Sequence, residues 1–535
     1  MLDELRVASD LLRLALYRYR NACLAIKRCS TEYYPFAGQP QSTCPTSHMV
    51  LDEASLLEEH ETKLRKSRIT LHQIVNLYPD VVPVSRLPID ILVRIFTRLT
   101  EEEYEHALSD NRKATINMYP MTLSHVCSHW RQIVLQSPSL WSYITLVPDT
   151  KNKQRLAYVD FHSRRSKEAL VDLFIAIRAS KISNSTISIN PFIGRIRSLR
   201  LRFRQVERNL LFSYVKRFQR TMHWKWVNLR VTMQAGHLIT RCLRASNHAL
   251  RQFVLHMGAV TEQHPFVESV AHPANRNSLR LDLPHDQLED ILSTITSLWL
   301  QGHYFNWESK AYHRLTTLQL EAAGQQTDLQ SIPELRLANI LASSPQLQYL
   351  NIQIGNIRDA IPPPPVHLSE LEVLIGHVLL LQLIWPGSKE LIVIIILQPD
   401  HNSSMLYSAR IREFFSRANT VRLLSYGWLS SISEICHLLA LAPDVRALAL
   451  FFTELSGTLP DMLTYPSLNA LYVLGWNIKK FVFWGRNRIV RGSSYVIDSK
   501  QSLEKELSDL KNTRLEFFPR LNEEASPIDF FASQP

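Results

Sequence analysis

The feature that most constrains this chain is a train of short apolar strands that begins near residue 195. They are centred near Leu201, Leu229, Val254, Leu281, Leu300, Leu320, Ile352, Leu374, Ile394, Leu423, Leu450 and Val473. The intervals run from 19 residues (281 to 300) to 32 (320 to 352). Helix-like pieces lie between strands, at Leu335–Ala342 and Ile432–Ala440, and proline turns follow at Ser344-Pro345 and Ala442-Pro443. Strand, return and strand again demands parallel pairing. One such unit cannot bury its apolar face alone, so successive units must stack around a shared core.

Two of the strands, Leu315-xx-Leu318-x-Leu320 and Leu347-xx-Leu350-x-Ile352, resemble the LxxLxL strand of a leucine-rich repeat. Most of the others match only its second half, and the turn asparagine is mostly missing, so the repeats are degenerate. The resemblance implies an α/β solenoid with parallel strands over residues 149–490. Ile361-Pro-Pro-Pro-Pro-Val366 reads as a polyproline II spacer within it. The array is expected to end after about Val473. Within residues 491–535 an amphipathic helix is expected at 499–513, carrying Leu503, Leu507 and Leu510, followed by a loose tail.

Residues 1–82 read as a helical region. Leu5, Leu12, Tyr19 and Ile26 recur every seven residues, with Ala8, Ala15, Ala22 and Cys29 as a second row. After a loop at 33–48, Leu57, Leu64, Leu71 and Tyr78 repeat every seven again, but their second row is polar at His60 and Ser67. Two readings stand: a helical hairpin that closes on itself, and a dimerising coil.

Between these regions, residues 83–148 form a small helical module. Pro88 sits at a first helical turn, where proline is tolerated. Leu92, Ile95, Phe96 and Leu99 fall on one face, as do Leu123, Val126, Cys127, Trp130, Ile133 and Val134. Three short helices cannot bury all of these among themselves, which leaves apolar side chains for another protein. The order Leu87-Pro88, Ile91-Leu92…Ile95-Phe96, Val126-Cys127…Trp130-Arg131 and Pro138-Ser-Leu-Trp141 resembles an F-box. With an upstream helix and repeat-like strands after it, the chain is similar to the large F-box families of mushroom-forming fungi. The resemblance implies a Skp-type adaptor as partner, and through it a cullin scaffold of a ubiquitin ligase. Adaptor contacts would then fall on Leu87, Pro88, Ile91, Leu92, Ile95, Phe96, Leu123, Val126 and Cys127, while Trp130 and Trp141 close the module's core. The acidic stretch Thr100–Pro120 departs from the family's tighter link, and it either lies on the surface or weakens docking.

The array would carry the unknown protein substrate. Residues 1–150 hold 16 Lys/Arg against 17 Asp/Glu, and residues 151–535 hold 44 against 32, so the second part favours an acidic partner. The sharpest charge feature is the stripe Arg195 to Arg208. If Leu199, Leu201 and Phe203 point inward, Arg200, Arg202 and Arg204 share the other face. That face is either an acidic-substrate patch or an edge charged against aggregation. Trp224 and Trp226 offer stacking surface or core packing, and nucleic acid is not the expected partner.

No enzyme is expected. The chain has 14 glycines and no phosphate loop, GxSxG elbow, HExxH or paired CxxC, and its 20 histidines show no metal-ligand spacing. No cofactor is implied. Six scattered cysteines suit a reducing compartment, and no apolar run reaches bilayer-spanning length, so a soluble cytoplasmic or nuclear protein is expected.

Overall fold

A computed structural model describes residues 2–33, 45–75, 83–109, 119–146, 152–178, 189–204, 233, 235–244, 249–257, 266–269, 279–323, 331–357, 362–397, 408–427, 441, 447–452, 470–475, 489–494 and 514–517. These fall into two units, Met1–Arg86 and Leu87–Pro535. The strand expected at Leu229, the pair Trp224 and Trp226, Arg208, and the helices expected at 432–440 and 499–513 lie outside the described residues.

The first unit holds two long helices, α1 (Leu2–Tyr33) and α2 (Pro45–Val75). They meet at the Tyr19 hydroxyl, 3.5 Å from a carboxylate oxygen of Glu53. Beyond that contact the seam stays open to solvent. Leu5, Leu12, Leu57, Leu64 and Leu71 remain 38–47 % exposed, so the seam residues are not buried in each other.

The second unit opens with three helices, α3 (Ile89–Ser109), α4 (Tyr119–Ser124) and α5 (Ser128–Gln136), and a 3-10 turn at Pro138–Trp141. Next come β1 (Tyr143–Leu146), α6 (Asn152–Ser166), β2 (Val171–Arg178), β3 (Ile196–Arg204) and β4 (Gln252–Met257). The same sheet continues through Ser297–Gln301, Thr317–Glu321, Tyr349–Gln353, Val373–His377, Glu390–Leu397, Asn419–Gly427, Ala447–Phe452, Ala470–Gly475, Ile489–Ser494 and Arg514–Phe517. In this 14-stranded sheet each strand lies beside the one before it, and the pairings are parallel.

Three expectations are corrected here. The sheet starts at β1, inside the segment read as the helical module, and not at residue 149. It also runs past 490 to Arg514–Phe517. And the strand read near Leu281 belongs elsewhere: Leu279–Leu281 pairs with Phe266–Ser269, which pairs with Tyr304–Phe305, in a separate parallel sheet. Alternation of apolar residues marks a strand but does not say which sheet it joins. Two further parallel pairs join Ser331–Pro333 to Gly355–Ile357 and Val366–Leu368 to Ile384–Pro386.

Register decides the core. Leu173, Leu199, Phe253, Leu298, Leu318, Leu350, Leu374 and Val393 are matched strand to strand. All are at most 1 % exposed, and they form one apolar row through eight strands. Each such side chain is worth roughly 1.5–3 kcal/mol of burial. Truncating Leu318 in the middle of the row adds a cavity to that loss, so Leu318→Ala is expected to destabilise the unit by about 2–5 kcal/mol. A urea midpoint within error of the parent would contradict this packing.

Candidate protein-interaction site

The helical module is built on α3. Pro88 begins it, and its carbonyl accepts from the amides of Ile91 (3.0 Å) and Leu92 (3.1 Å). Asp90 in the first turn complements the positive end of the helix dipole. Leu92, Phe96, Thr100 and Tyr104, spaced four apart, form the buried stripe. The Thr100 hydroxyl turns back to donate to the Phe96 carbonyl at 2.8 Å, so this polar group is satisfied inside.

The apolar residues read as adaptor contacts divide by burial. Leu92, Phe96 and Leu123 are inside, where α3 packs on α4 and α5, so the adaptor contacts expected of them are taken up by the module's own core. A module this small needs them as core. Leu87, Pro88, Ile91 and Ile95 lie together on the outward side of α3, with Ile91 40 % and Ile95 42 % exposed. Val126, 57 % exposed, stands in the turn between α4 and α5. Ile89 is also exposed, a contact that the motif did not single out. Cys127 is a cap: its Sγ accepts from the Trp130 amide at 3.4 Å and starts α5.

Both tryptophans serve the core. Trp130 packs on Phe96 with ring centroids 4.7 Å apart. Trp141 is fully buried, donates its indole N–H to the Val134 carbonyl at 2.9 Å and meets Phe161 of α6 edge-on at 5.1 Å. The neighbouring His162 places Nδ1 3.2 Å from the Trp141 carbonyl, and burial lowers its pKa to about 4.

The acidic stretch expected as an insertion is partly folded into the module. Thr100–Ser109 continues α3, residues 110–118 lie outside the described set, and Tyr119 begins α4. Glu101 accepts from the Tyr143 hydroxyl at 2.6 Å, and Glu103 accepts from the Tyr119 amide at 2.9 Å. Tyr104 packs against Tyr143 at 5.5 Å and shares a small core with Phe174 and Ala176 of β2. The extension therefore fixes the module to the first strands of the sheet. Tyr104→Ala is expected to cost about 3 kcal/mol by the large-to-small rule. Faster amide exchange in β1 and β2 would mark that loss, and unchanged exchange would argue against the docking role.

The sheet face opposite the apolar row carries a second matched row: Phe174, Arg200, Val254, Trp299, Gln319, Asn351, Ile375 and Ile394. The arginines do share this face, as the alternation requires. They are not an open basic stripe, however. The Arg200 guanidinium lies over the Tyr104 ring at 5.2 Å and donates to Gln252 at 3.1 Å. Arg202 is 9 % exposed and stacks on Phe174 at 5.8 Å. Arg204's side chain lies outside the described set. Aromatic rings of α3 and β2 lie against these two cations, so the row expected as an acidic-substrate patch is not an open run of charge.

Sequence reading missed the rest of this face. His256 and Trp299 meet at 4.2 Å, and neither His256 Nε2 nor Trp299 Nε1 has a hydrogen-bond partner among the described residues. Gln301, Glu321 and Gln353 continue in register beside them. The signal was present as the polar positions of Leu298-Trp-Leu-Gln301, Leu318-Gln-Leu-Glu321 and Leu350-Asn-Ile-Gln353. Among the described residues, no group of three or more His, Cys, Asp or Glu could hold a metal ion. No helix among them is long and apolar enough to cross a membrane.

Residues 84–147 match the family model described as F-box-like. No curated protein matches the chain. The matched segment spans α3, α4, α5 and β1, so an F-box-like domain with a role in protein interaction is joined to a parallel sheet through a shared strand.

Proposed function

We propose that this chain is the substrate-recognition subunit of a Skp–cullin–F-box ubiquitin ligase and performs no catalytic step itself. The observation that carries the reading is the F-box-like domain at 84–147 with Leu87, Pro88, Ile91, Ile95 and Val126 left uncovered on it. An apolar strip of this kind is what a Skp-type adaptor would bury, and the adaptor links to a cullin. The 14 strands in chain order, with short parallel strips between them, support a leucine-rich-repeat-like solenoid as the substrate arm. Its polar face from Ser297–Gln301 to Tyr349–Gln353, where Trp299, Gln301, Gln319, Glu321 and Gln353 are part-exposed, is the surface we assign to the substrate protein. Tyr104 and Arg200 hold that arm against the domain, and a fixed spacing raises the effective concentration of bound substrate at the transfer site. A cytoplasmic or nuclear location goes with this role.

The test is binding of the purified full chain to a purified Skp-type adaptor by calorimetry. A one-to-one complex with Kd of about 1 μM or tighter is expected. Leu87→Ala with Pro88→Ala is expected to weaken it by roughly tenfold, since about 1.4 kcal/mol of apolar contact is lost. No binding by the unsubstituted chain would leave a binding scaffold without a ligase as the reading.

A further inference from the structure

We propose that α1 and α2 form a self-association surface, and that its occupant is a second copy of this chain packed antiparallel to the first. Three observations meet here. The two helices repeat apolar residues every seven positions, the pattern of helices that pack along their length. Leu5, Leu12, Ile26, Leu57, Leu64, Leu71 and their neighbours remain exposed, an apolar surface far beyond the scattered side chains a monomer tolerates. And the charge along each helix is graded.

The grading selects the occupant and its direction. In α2 the first part carries Asp52, Glu53, Glu58, Glu59 and Glu61 with no Lys or Arg, and the second carries Lys63, Arg65, Lys66 and Arg68 with no acid. In α1 three of the four charges up to residue 10 are acidic, at Asp3, Glu4 and Asp10, and five of the six beyond it are basic, at Arg13, Arg18, Arg20, Lys27 and Arg28. Each helix is thus acidic at its N-terminal end and basic at its C-terminal end. A parallel pair of like helices sets acid on acid and base on base. An antiparallel pair sets acid on base along its whole length, and a two-fold axis between copies produces that pairing twice. The Tyr19–Glu53 contact shows α1 already laying its basic half beside the acidic half of α2 within one chain. Two such pairs bury the remaining apolar faces as four helices.

The experiment is sedimentation equilibrium of the full chain at tens of micromolar. A mass of twice 61.9 kDa is expected. Leu12→Asp with Leu64→Asp is expected to give the monomer mass, and both positions are exposed enough for the helices to survive. A charge-swap pair provides the second arm. One variant carries Lys63→Glu, Arg65→Glu, Lys66→Glu and Arg68→Glu, the other Asp52→Lys, Glu53→Lys, Glu58→Lys and Glu59→Lys. Each alone is expected to be monomeric, and their equimolar mixture to return to twice the chain mass. A monomeric parent chain overturns the proposal. So does a dimer that survives Leu12→Asp with Leu64→Asp, which places the contact elsewhere. So too does a mixture that stays monomeric at unchanged helicity, which points to an unrelated helical partner. None of these outcomes bears on adaptor binding, which is measured separately.

Discussion

Replacing Ile91 and Ile95 together by aspartate is expected to abolish binding of a Skp-type adaptor and to leave the fold standing. The two side chains lie one turn apart on the outward side of α3, and each keeps about two-fifths of its surface in water. Covering them against a partner is worth about 1 kcal/mol apiece, from their share of a full side-chain burial. A carboxylate in the same place would be desolvated on binding, a cost that Arg94 and Arg98, three residues further on, offset only in part. The affinity loss is therefore more than about 100-fold, at 1.4 kcal/mol per tenfold. The change to folding stability is expected to stay within about 0.5 kcal/mol, as for surface positions generally. Phe96→Ala is the opposing control. Its ring is buried against Trp130, so it should lower the unfolding midpoint before it touches any partner. Adaptor affinity unchanged by Ile91→Asp and Ile95→Asp would remove the strip from the interface.

Acidification from pH 6.5 to 4 is expected to unfold the second unit. His162, His256 and His303 are buried, and desolvation lowers their folded pKa values from 6.5 to about 4, 3 and 4. At His256 the nearby Arg202 and Arg200 lower it further. In the unfolded chain these rings take protons below pH 6.5, while in the folded chain they resist until about pH 4. The unfolded state thus binds more protons throughout that window, so stability rises with pH and is lost on acidification. A lowering of some 2.5 units is worth roughly 3 kcal/mol per ring, and three rings together approach the ~5–15 kcal/mol net stability of a domain. Unfolding free energies from urea melts should fall as pH drops below 6.5, with a slope that approaches about 4 kcal/mol per pH unit between about pH 5.5 and 4.5, the value for three protons. His303→Leu should reduce that slope by about a third. A flat profile would mean that the rings stay wet in the folded chain.

The strands of the parallel sheet were legible because their signal is local. Leu318 and Leu320, or Leu350 and Ile352, alternate with polar residues, and a strand with one wet face and one dry face needs nothing else to be recognised. The module was legible for the same reason, through Leu87-Pro88 and the helical spacing of Leu92, Ile95, Phe96 and Leu99, although Ile95 of that face turns outward. Other features were hidden. β1 consists of Tyr143, Ile144, Thr145 and Leu146, all buried, and a four-residue run with no alternation does not announce a strand. Leu279–Leu281 alternates perfectly and still joins a different sheet, since pairing is settled by chain segments far apart in sequence.

By itself the sequence determined the periods: seven in the first two helices, the three-and-four spacing of a helix in α3, two in the strands. It also determined the order of helical region, module and parallel strands. Only the tertiary structure decided which apolar residues of the module face outward, for Leu92 and Ile91 are equally apolar and adjacent. It decided too that Arg200 and Arg202 stack on Tyr104 and Phe174 in place of facing solvent, and that the acidic stretch after Thr100 joins the module to the sheet. The reason is physical: periodicity is a property of one segment, whereas burial depends on which other segment arrives to cover it.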